Sequence, residues 1–437
     1  MNKLSSFLEQ KFMPTAVKIG NQRHLQAIRD GIVLTIPLII IGSLFLIIAY
    51  FPIPGYDSFM KDVFGSNWQT SLLMPVGVTF DLLAVFVVVG VSYRLAEHYK
   101  LDALSVVVTS VAAFMLVTPY EISFTPEGTD QVYQVRGIPL DLTSSKGMFV
   151  AIIVAIITTE IYRYIVKKNI IIKMPAGVPP AVAKSFASLI PGFIVLLILW
   201  MLSLLLKATP FENMHNIVYV ILGKPLSLLG GSYWGAIIAV IVAQLLWVTG
   251  IHGQGLVWGI MSPVWLALID ENRQAFVSGK EIPHIVNTQF MDIFYSIGGS
   301  GTTLGLAILL LFRSRSKQLK QLGRLVIGPG IFNINEPITF GLPIIMNPIM
   351  MIPFIFVPVV IVTVSYFAMD FGLVAKTAGI MVPWTTPAPI GGFLATGNHI
   401  SGAILQIVNV LISMALYYPF FRLYDNQKLK EEQNKTE

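Results

Sequence analysis

The chain has no cysteine among its 437 residues. That absence excludes disulfides, thiolate metal sites and a phosphocysteine carried on these residues. Charge is the second scarcity: Asp, Glu, Lys and Arg make up 12% of the chain, half the roughly 25% of an average soluble domain. Motifs are missing as well. There is no GxxxxGK[ST] loop, no GxGxxG after a strand and no HExxH, so an ATP-driven motor would have to sit on another chain. No metal and no cofactor are expected.

What fills the chain is apolar sequence, 55% of it hydrophobic, with a mean hydropathy of +0.73. Runs such as Gly31–Phe51 and Met350–Met369 reach the roughly 20 residues needed to cross a bilayer. The reading is an all-α polytopic membrane protein. Residues 1–30 interleave Lys3, Lys11, Lys18, Arg23 and Arg29 with Leu4, Phe7, Leu8, Phe12 and Met13, with no small-residue cleavage site. This predicts an amphipathic cytoplasmic helix, not a signal peptide.

Apolar runs place ten crossings at about 31–51, 72–92, 103–119, 147–165, 186–206, 232–249, 254–270, 291–312, 350–369 and 401–421. With the N-terminus inside, 21 Lys and Arg fall on inner segments and 8 on outer ones, which places both termini in the cytoplasm. The net charge of +6 is accounted for by those loops, and no nucleic-acid partner is expected.

Two stretches fit neither a spanning helix nor a solvated loop. One, near 325–349, contains FNINEPITFGLPIIMNP; the other, near 381–400, reads MVPWTTPAPIGGFLATGNHI. Their Pro and Gly interrupt helices, yet both are apolar. Irregular backbone at membrane depth survives where protein buries it or where it lines a watery cavity, so both are expected to be re-entrant hairpins. Paired broken segments are the best sequence pointer to a transporter's binding site.

Glu336 in the first stretch carries the strongest signal, because an ionisable group at membrane depth costs roughly 2.5–3.5 kcal/mol even on the lenient insertion scale. Asn333 and Asn335 flank it. His252 lies in TGIHGQG, where Gly250 and Gly253 allow a sharp turn and close backbone approach. Trp247 precedes it by five residues, and Trp384, Thr385 and Thr386 open the second stretch. Indole faces pack on the C–H faces of pyranose rings while amide, hydroxyl and carboxyl groups bond sugar hydroxyls. Together these residues describe a saccharide site. Trp258 and Trp265 read as interface anchors, Asp81 fits either a ligand or a helix-packing partner, and Glu160 is expected at the inner interface. Gly301 and Gly305 form a GxxxG packing motif on the eighth span.

FNINEPITFGLPIIMNP, WVTGIHG, PWTTPAPIGGFLATG and KMPAGVPPAVAKSF (Lys173–Phe186) together resemble the sugar-translocating membrane component, IIC, of the bacterial phosphoenolpyruvate-dependent phosphotransferase system (PTS), in its lactose/cellobiose/N,N'-diacetylchitobiose branch. The resemblance covers nearly the whole chain. It implies a homodimer in the bacterial cytoplasmic membrane, with a five-span dimer-interface domain over 31–230 and a sugar-binding transport domain with the two hairpins over 231–423. A cytoplasmic tail would follow over 424–437. It also implies that a phosphocysteine on a cytoplasmic B component phosphorylates the 6-hydroxyl of a bound disaccharide. With no cysteine here, B is expected to be a separate polypeptide.

In those terms Glu336 is the base for the 6-hydroxyl, or its hydrogen-bond equivalent, and His252 orients that hydroxyl or offsets developing charge. Trp247, Trp384, Asn333, Asn335, Thr385 and Gly253 are the expected substrate-binding residues, with the two asparagines either touching the sugar or only holding the turn that aims Glu336. Cellobiose-type chains of the branch continue the second hairpin with GGDWR, where this chain has GNHIS at Gly397–Ser401. That departure leaves the identity of the disaccharide open; because stand-alone C components are common in the diacetylchitobiose branch, the resemblance makes N,N'-diacetylchitobiose the first expectation for the sugar and cellobiose the second. The alternative is an ion-coupled sugar symporter using Glu336 or Asp81.

Overall fold

The computed structural model describes residues 18, 21–51, 53–125, 131–175, 177–342, 344 and 348–434. Most of the amphipathic helix expected over 1–30 therefore lies outside the described residues. From Arg23 the chain is helical: α1 (Arg23–Val33) starts where the Gln22 side chain accepts the Leu25 N–H, and α2 (Ile36–Ala49) follows. Next come α3 (Tyr56–Phe64), α4 (Trp68–Phe80), α5 (Leu83–His98) and α6 (Ala103–Val117). Strands β1 (Glu121–Phe124) and β2 (Tyr133–Arg136) then pair antiparallel, Glu121 opposite Arg136. This hairpin departs from the all-α expectation. Its alternating residues are largely exposed, so no hydropathy signal announced it.

The chain continues through α7 (Leu140–Thr143), α8 (Met148–Lys167), α9 (Pro180–Lys207), α10 (Met214–Val218), α11 (Lys224–Gly230), α12 (Tyr233–Val248) and α13 (Gly253–Val277). A π-helical turn over Phe290–Tyr295 leads to α14 (Leu304–Arg313), α15 (Lys317–Ile331), α16 (Glu336–Gly341), α17 (Pro348–Asp370), α18 (Ile390–Ala395) and α19 (Ile400–Gln433).

Six helical stretches among the described residues are long and apolar enough to cross a membrane: Arg23–Ala49, Trp68–His98, Ser145–Lys167, Pro180–Lys207, Ile349–Asp370 and Ile400–Gln433. Met214–Gly230 and Tyr233–Val248 are apolar enough together but are bent by 79°, the geometry of a broken span or a re-entrant loop. Ten crossings were expected. Of the others, α6 has 15 residues, about 22 Å of helix, and α13 ends in the polar run Asp270–Gln274. The run 291–312 is not one helix. Gly298, Gly299, Gly301 and Thr302 adopt positive φ and split it into the π turn, a loop and α14.

The chain divides into two compact units. One comprises Asn21–Gly42 and Met74–Leu226. In it α5 is central, packed by α1, α6 and α8 and burying Leu83, Val87, Val88, Val91 and Leu95. The α1–α5 crossing is close because Gly31 meets Gly90: a Cβ on Gly90 would lie 2.3 Å from the Gly31 carbonyl oxygen. On α8, Glu160 accepts from His24 Nε2 (2.8 Å), Arg163 (3.0 Å) and the Tyr99 hydroxyl.

The other unit comprises Ser43–Leu73 and Ser227 onward, with residues 43–73 joining the C-terminal half of the chain. Here α14 packs on α15 and α19, and α17 packs on α12 and α19. Its core includes Trp247, Leu310, Leu319, Val326, Phe354, Val357, Tyr417 and Phe421. Gly305 sits on α14 against α19, where a Cβ would lie 2.5 Å from the Met414 nitrogen. Gly301 is in the loop before α14 and faces Phe354, so the GxxxG pair is not a single helical stripe. The expected tail runs on as helix to Gln433, and its carboxylates cap α15. Buried Asp425 accepts the backbone N–H of Arg315 (3.0 Å) and Ser316 (3.1 Å). Glu432 accepts the Ser316 hydroxyl (2.6 Å) and the N–H groups of Lys317 (3.0 Å) and Gln318 (2.9 Å).

Candidate functional site

The turn between α12 and α13 fixes His252. Gly250 takes a left-handed conformation, φ 88°, and His252 becomes the N-cap of α13, its Nδ1 accepting the Gly255 N–H at 2.9 Å. An imidazole whose Nδ1 accepts carries its proton on Nε2. That Nε2 faces Glu336 Oε1 at 3.7 Å, and the two side chains are 57% and 45% exposed. The structure therefore brings together the two residues singled out for chemistry. Glu336 is half-exposed rather than embedded in apolar surroundings.

Glu336 opens α16, with Pro337 behind it and Asn335 as N-cap. The turn that aims it is built by the two asparagines. Asn333 adopts φ 62°, which asparagine tolerates better than most residues. Its Oδ1 accepts the Gly298 N–H (2.8 Å), and its Nδ2 donates to the carbonyls of Trp384 (2.6 Å) and Thr386 (3.2 Å). Asn335 Nδ2 donates to the Ser300 carbonyl (2.9 Å) and the Thr339 hydroxyl (3.1 Å). Both side chains are buried, and both amide groups have their hydrogens committed inside the protein. They hold the loop rather than offer donors to a ligand.

Gly253 and Trp247 are also placed differently from the expectation. Gly253 is buried where a Cβ would lie 1.9 Å from the Ala243 carbonyl oxygen, so glycine is required by the close approach of α12 to α13. Trp247 is 3% exposed and belongs to the core, with its ring 4.5 Å from the His252 imidazole. It presents no open face to a sugar and instead packs beside the histidine. Trp384, by contrast, is 51% exposed, and Thr385 beside it is partly exposed. Asn333 ties the Trp384 carbonyl to a point three residues before Glu336.

The face of α13 beyond His252 adds groups that the sequence reading passed over. Gln254 donates to the Ser296 hydroxyl (2.9 Å), and one turn later Trp258 Nε1 donates to Asp292 Oδ1 (2.8 Å). Trp258 is thus a carboxylate's partner, not an interface anchor. Trp265 is buried, with Nε1 donating to the Gly230 carbonyl at 3.1 Å. Asp292 lies in the π-helical turn, and such turns occur often at functional sites. A signal was present: Asp292 is the sole acidic residue between Glu281 and Glu336. Gln244 bonds the Tyr295 hydroxyl and Ser300, so the loop that Asn335 holds is fixed from α12 as well.

A half-exposed histidine–glutamate pair, an exposed indole and a carboxylate held by a tryptophan can bind a polyhydroxylated ligand and take a proton from it. The family description "Phosphotransferase system, EIIC" matches residues 29–358, a span that includes His252, Asp292 and Glu336. This chain belongs to the EIIC family. The cellobiose-specific EIIC component of the phosphotransferase system of Geobacillus stearothermophilus is 60% identical over 99% of this chain and 97% of that protein. The lichenan permease IIC component of Bacillus subtilis (strain 168) is 55% identical over 99% of this chain and 96% of its own length. Among solved structures, the crystal structure of ChbC, the IIC component of the N,N'-diacetylchitobiose-specific system, superposes with a TM-score of 0.95. That match is at 52% identity and covers 98% of this chain and 99% of that one. The EIIC chain is accordingly a mostly helical, multi-pass membrane protein of phosphotransfer-coupled sugar transport.

Proposed function

We propose that this EIIC protein binds a β-linked disaccharide of the cellobiose or N,N'-diacetylchitobiose type and carries it across the cytoplasmic membrane, coupled to phosphorylation of the 6-hydroxyl. The names of the relatives support the sugar class, and the cellobiose-specific relative has the higher identity of the two. The observation that carries the chemistry is the His252 Nε2–Glu336 Oε1 contact at 3.7 Å, half-open to solvent. The sugar hydroxyl enters between them. Nε2–H donates to the hydroxyl oxygen and the Glu336 carboxylate accepts its proton. Trp384 supplies the stacking face, with Thr385 beside it.

The sugar O6 attacks phosphorus, the O6–P bond forms as the S–P bond of a phosphocysteine breaks, and sulfur leaves as thiolate while the O6 proton passes to Glu336. These 437 residues contain no cysteine, so the donor phosphocysteine lies outside them, on a cytoplasmic B component. The protein works as a homodimer with both termini in the cytoplasm. The segments around α16 and α18 are re-entrant hairpins that bring Glu336 and Trp384 to one cavity.

The test uses membrane vesicles holding the wild type or Glu336→Gln, radiolabelled disaccharide, and B protein with or without its phosphoryl group. Glu336→Gln keeps disaccharide affinity within a few-fold and lowers the phosphorylation rate by roughly 10²–10⁴. Equal loss of binding and rate makes Glu336 a plain ligand. Unmodified sugar accumulating against its gradient without B overturns the reading in favour of an ion-coupled symporter.

A further inference from the structure

Helix α15 has two faces of opposite character. Leu319, Gly323, Val326 and Gly330, spaced as one helical stripe, are buried, and a Cβ on Gly323 would lie 2.5 Å from the Leu311 nitrogen of α14. Opposite them Lys317, Lys320, Arg324 and Gly328 form a second stripe, and all four are exposed. Residues 313–335 carry five Lys and Arg and no Asp or Glu. Lys320 and Arg324 make no ion pair among the described residues. Glu432 sits against Lys317 at the start of the helix, so the unneutralised charge of the stripe is that of Lys320 and Arg324.

Gly328 adds an independent observation. It lies inside α15, where glycine costs roughly 1 kcal/mol relative to alanine. A Cβ built there meets nothing within 4 Å among the described residues, so no packing among those residues requires glycine at that position, unlike Gly323 on the other face. A helix interior kept bare on its exposed side is suited to close approach by something outside the chain.

The stripe also has a direction. Arg324 is seven residues from the end of α15, about 10 Å along its axis, and five residues past that end the chain reaches Glu336. Whatever sits on Arg324 and Gly328 is next to the segment that carries the half-exposed carboxylate.

We propose that the Lys317–Lys320–Arg324–Gly328 face of α15 is the docking surface for the phosphorylated B protein, an inference that rests on the function proposed above. The occupant is set by charge: a phosphocysteine and its surroundings present a dianionic group, and a row of cations steers such a partner and raises its rate of encounter. Gly328 lets its backbone approach the end of the helix, so that the phosphoryl group reaches the sugar at Glu336. The cations act on encounter and docking, not on the proton transfer.

The experiment measures sugar phosphorylation against the concentration of purified phosphorylated B protein, using full-length protein in neutral detergent and again in vesicles with and without anionic lipid. The variants are Lys320→Glu/Arg324→Glu and, separately, Gly328→Trp. Equilibrium binding of labelled disaccharide serves as the check on folding. Both variants bind disaccharide as the wild type does. The charge reversal raises KM for phosphorylated B at least tenfold, leaves kcat within twofold and flattens the salt dependence of kcat/KM. Gly328→Trp raises KM without changing the salt slope.

If wild-type protein yields no sugar phosphate from phosphorylated B, the proposed function itself fails. If the wild type turns over and both variants keep its KM, the docking surface alone is wrong. Loss of disaccharide binding in both variants overturns it too, since the face would then serve the sugar site. An effect confined to anionic vesicles assigns the stripe to lipid headgroups and overturns the proposal likewise.

Discussion

At the scale of single residues, the site separates into groups that face outward and groups that hold them. Asn333 belongs to the second kind: its oxygen accepts from Gly298 and its nitrogen donates to two carbonyls on the segment bearing Trp384. Replacing it with aspartate keeps the acceptor for Gly298 but turns the other end into an oxygen against two carbonyl oxygens. A buried carboxylate so placed costs more than the roughly 1–3 kcal/mol of an ordinary unsatisfied group. Asn333→Asp therefore lowers both the thermal midpoint and disaccharide affinity, whereas Glu336→Gln keeps affinity. Melting and binding measured side by side on the two variants check this; an Asn333→Asp protein with unchanged melting would place the amide outside the scaffold. Glu336 and His252 were legible in the sequence because polar groups in apolar runs are rare and costly. For Asn333 the sequence left two roles open, sugar contact or holding the turn, and could not decide between them because its partners lie 35 to 53 residues away. Trp247 misled for a related reason: an indole beside a histidine looks the same in sequence whether its face is open or, as here, packed into the core.

At the scale of elements, hydropathy located the helices and failed where glycines break them. The run 291–312 is apolar enough to read as one crossing, yet positive φ at Gly298, Gly299 and Gly301 divides it and creates the loop to which Asn333 and Asn335 bond. Averaged apolarity does not register backbone handedness. The end of α19 was similarly hidden, because KLKEEQ reads as a solvated tail, while in the structure it caps α15. Asp425 is buried and receives the Arg315 and Ser316 amides, so Asp425→Ala strands the buried Ser316 N–H at a cost of about 1–3 kcal/mol. Glu432→Ala acts more locally, since its carboxylate is at the surface. In hydrogen–deuterium exchange, Glu432→Ala speeds exchange at Lys317 and Gln318 and leaves α14 unchanged, while Asp425→Ala loosens α15 as a whole. Identical exchange maps for the two variants would contradict this division of labour.

At the scale of the whole molecule, the distribution of charge makes a topological claim that the fold alone does not test. The 21 to 8 bias of Lys and Arg places residues 163–184 and 313–324 inside and residues 52–67 outside. On that assignment α15 and its basic face are cytoplasmic, as docking of a cytoplasmic phosphoryl donor requires. The absence of cysteine gives a clean background for the measurement, because every introduced thiol is the only one. Asp62→Cys and Lys173→Cys both fall at exposed positions, and neither residue belongs to the candidate site. In intact cells a membrane-impermeant maleimide labels Asp62→Cys, and labels Lys173→Cys only after the membrane is opened. Gln318→Cys, at the start of α15, behaves like Lys173→Cys. Labelling of Gln318→Cys in intact cells would put the basic face on the side away from the donor. The inside-positive topology and the docking surface would then fall together, while the pairing of His252 with Glu336, which needs no membrane orientation, would stand.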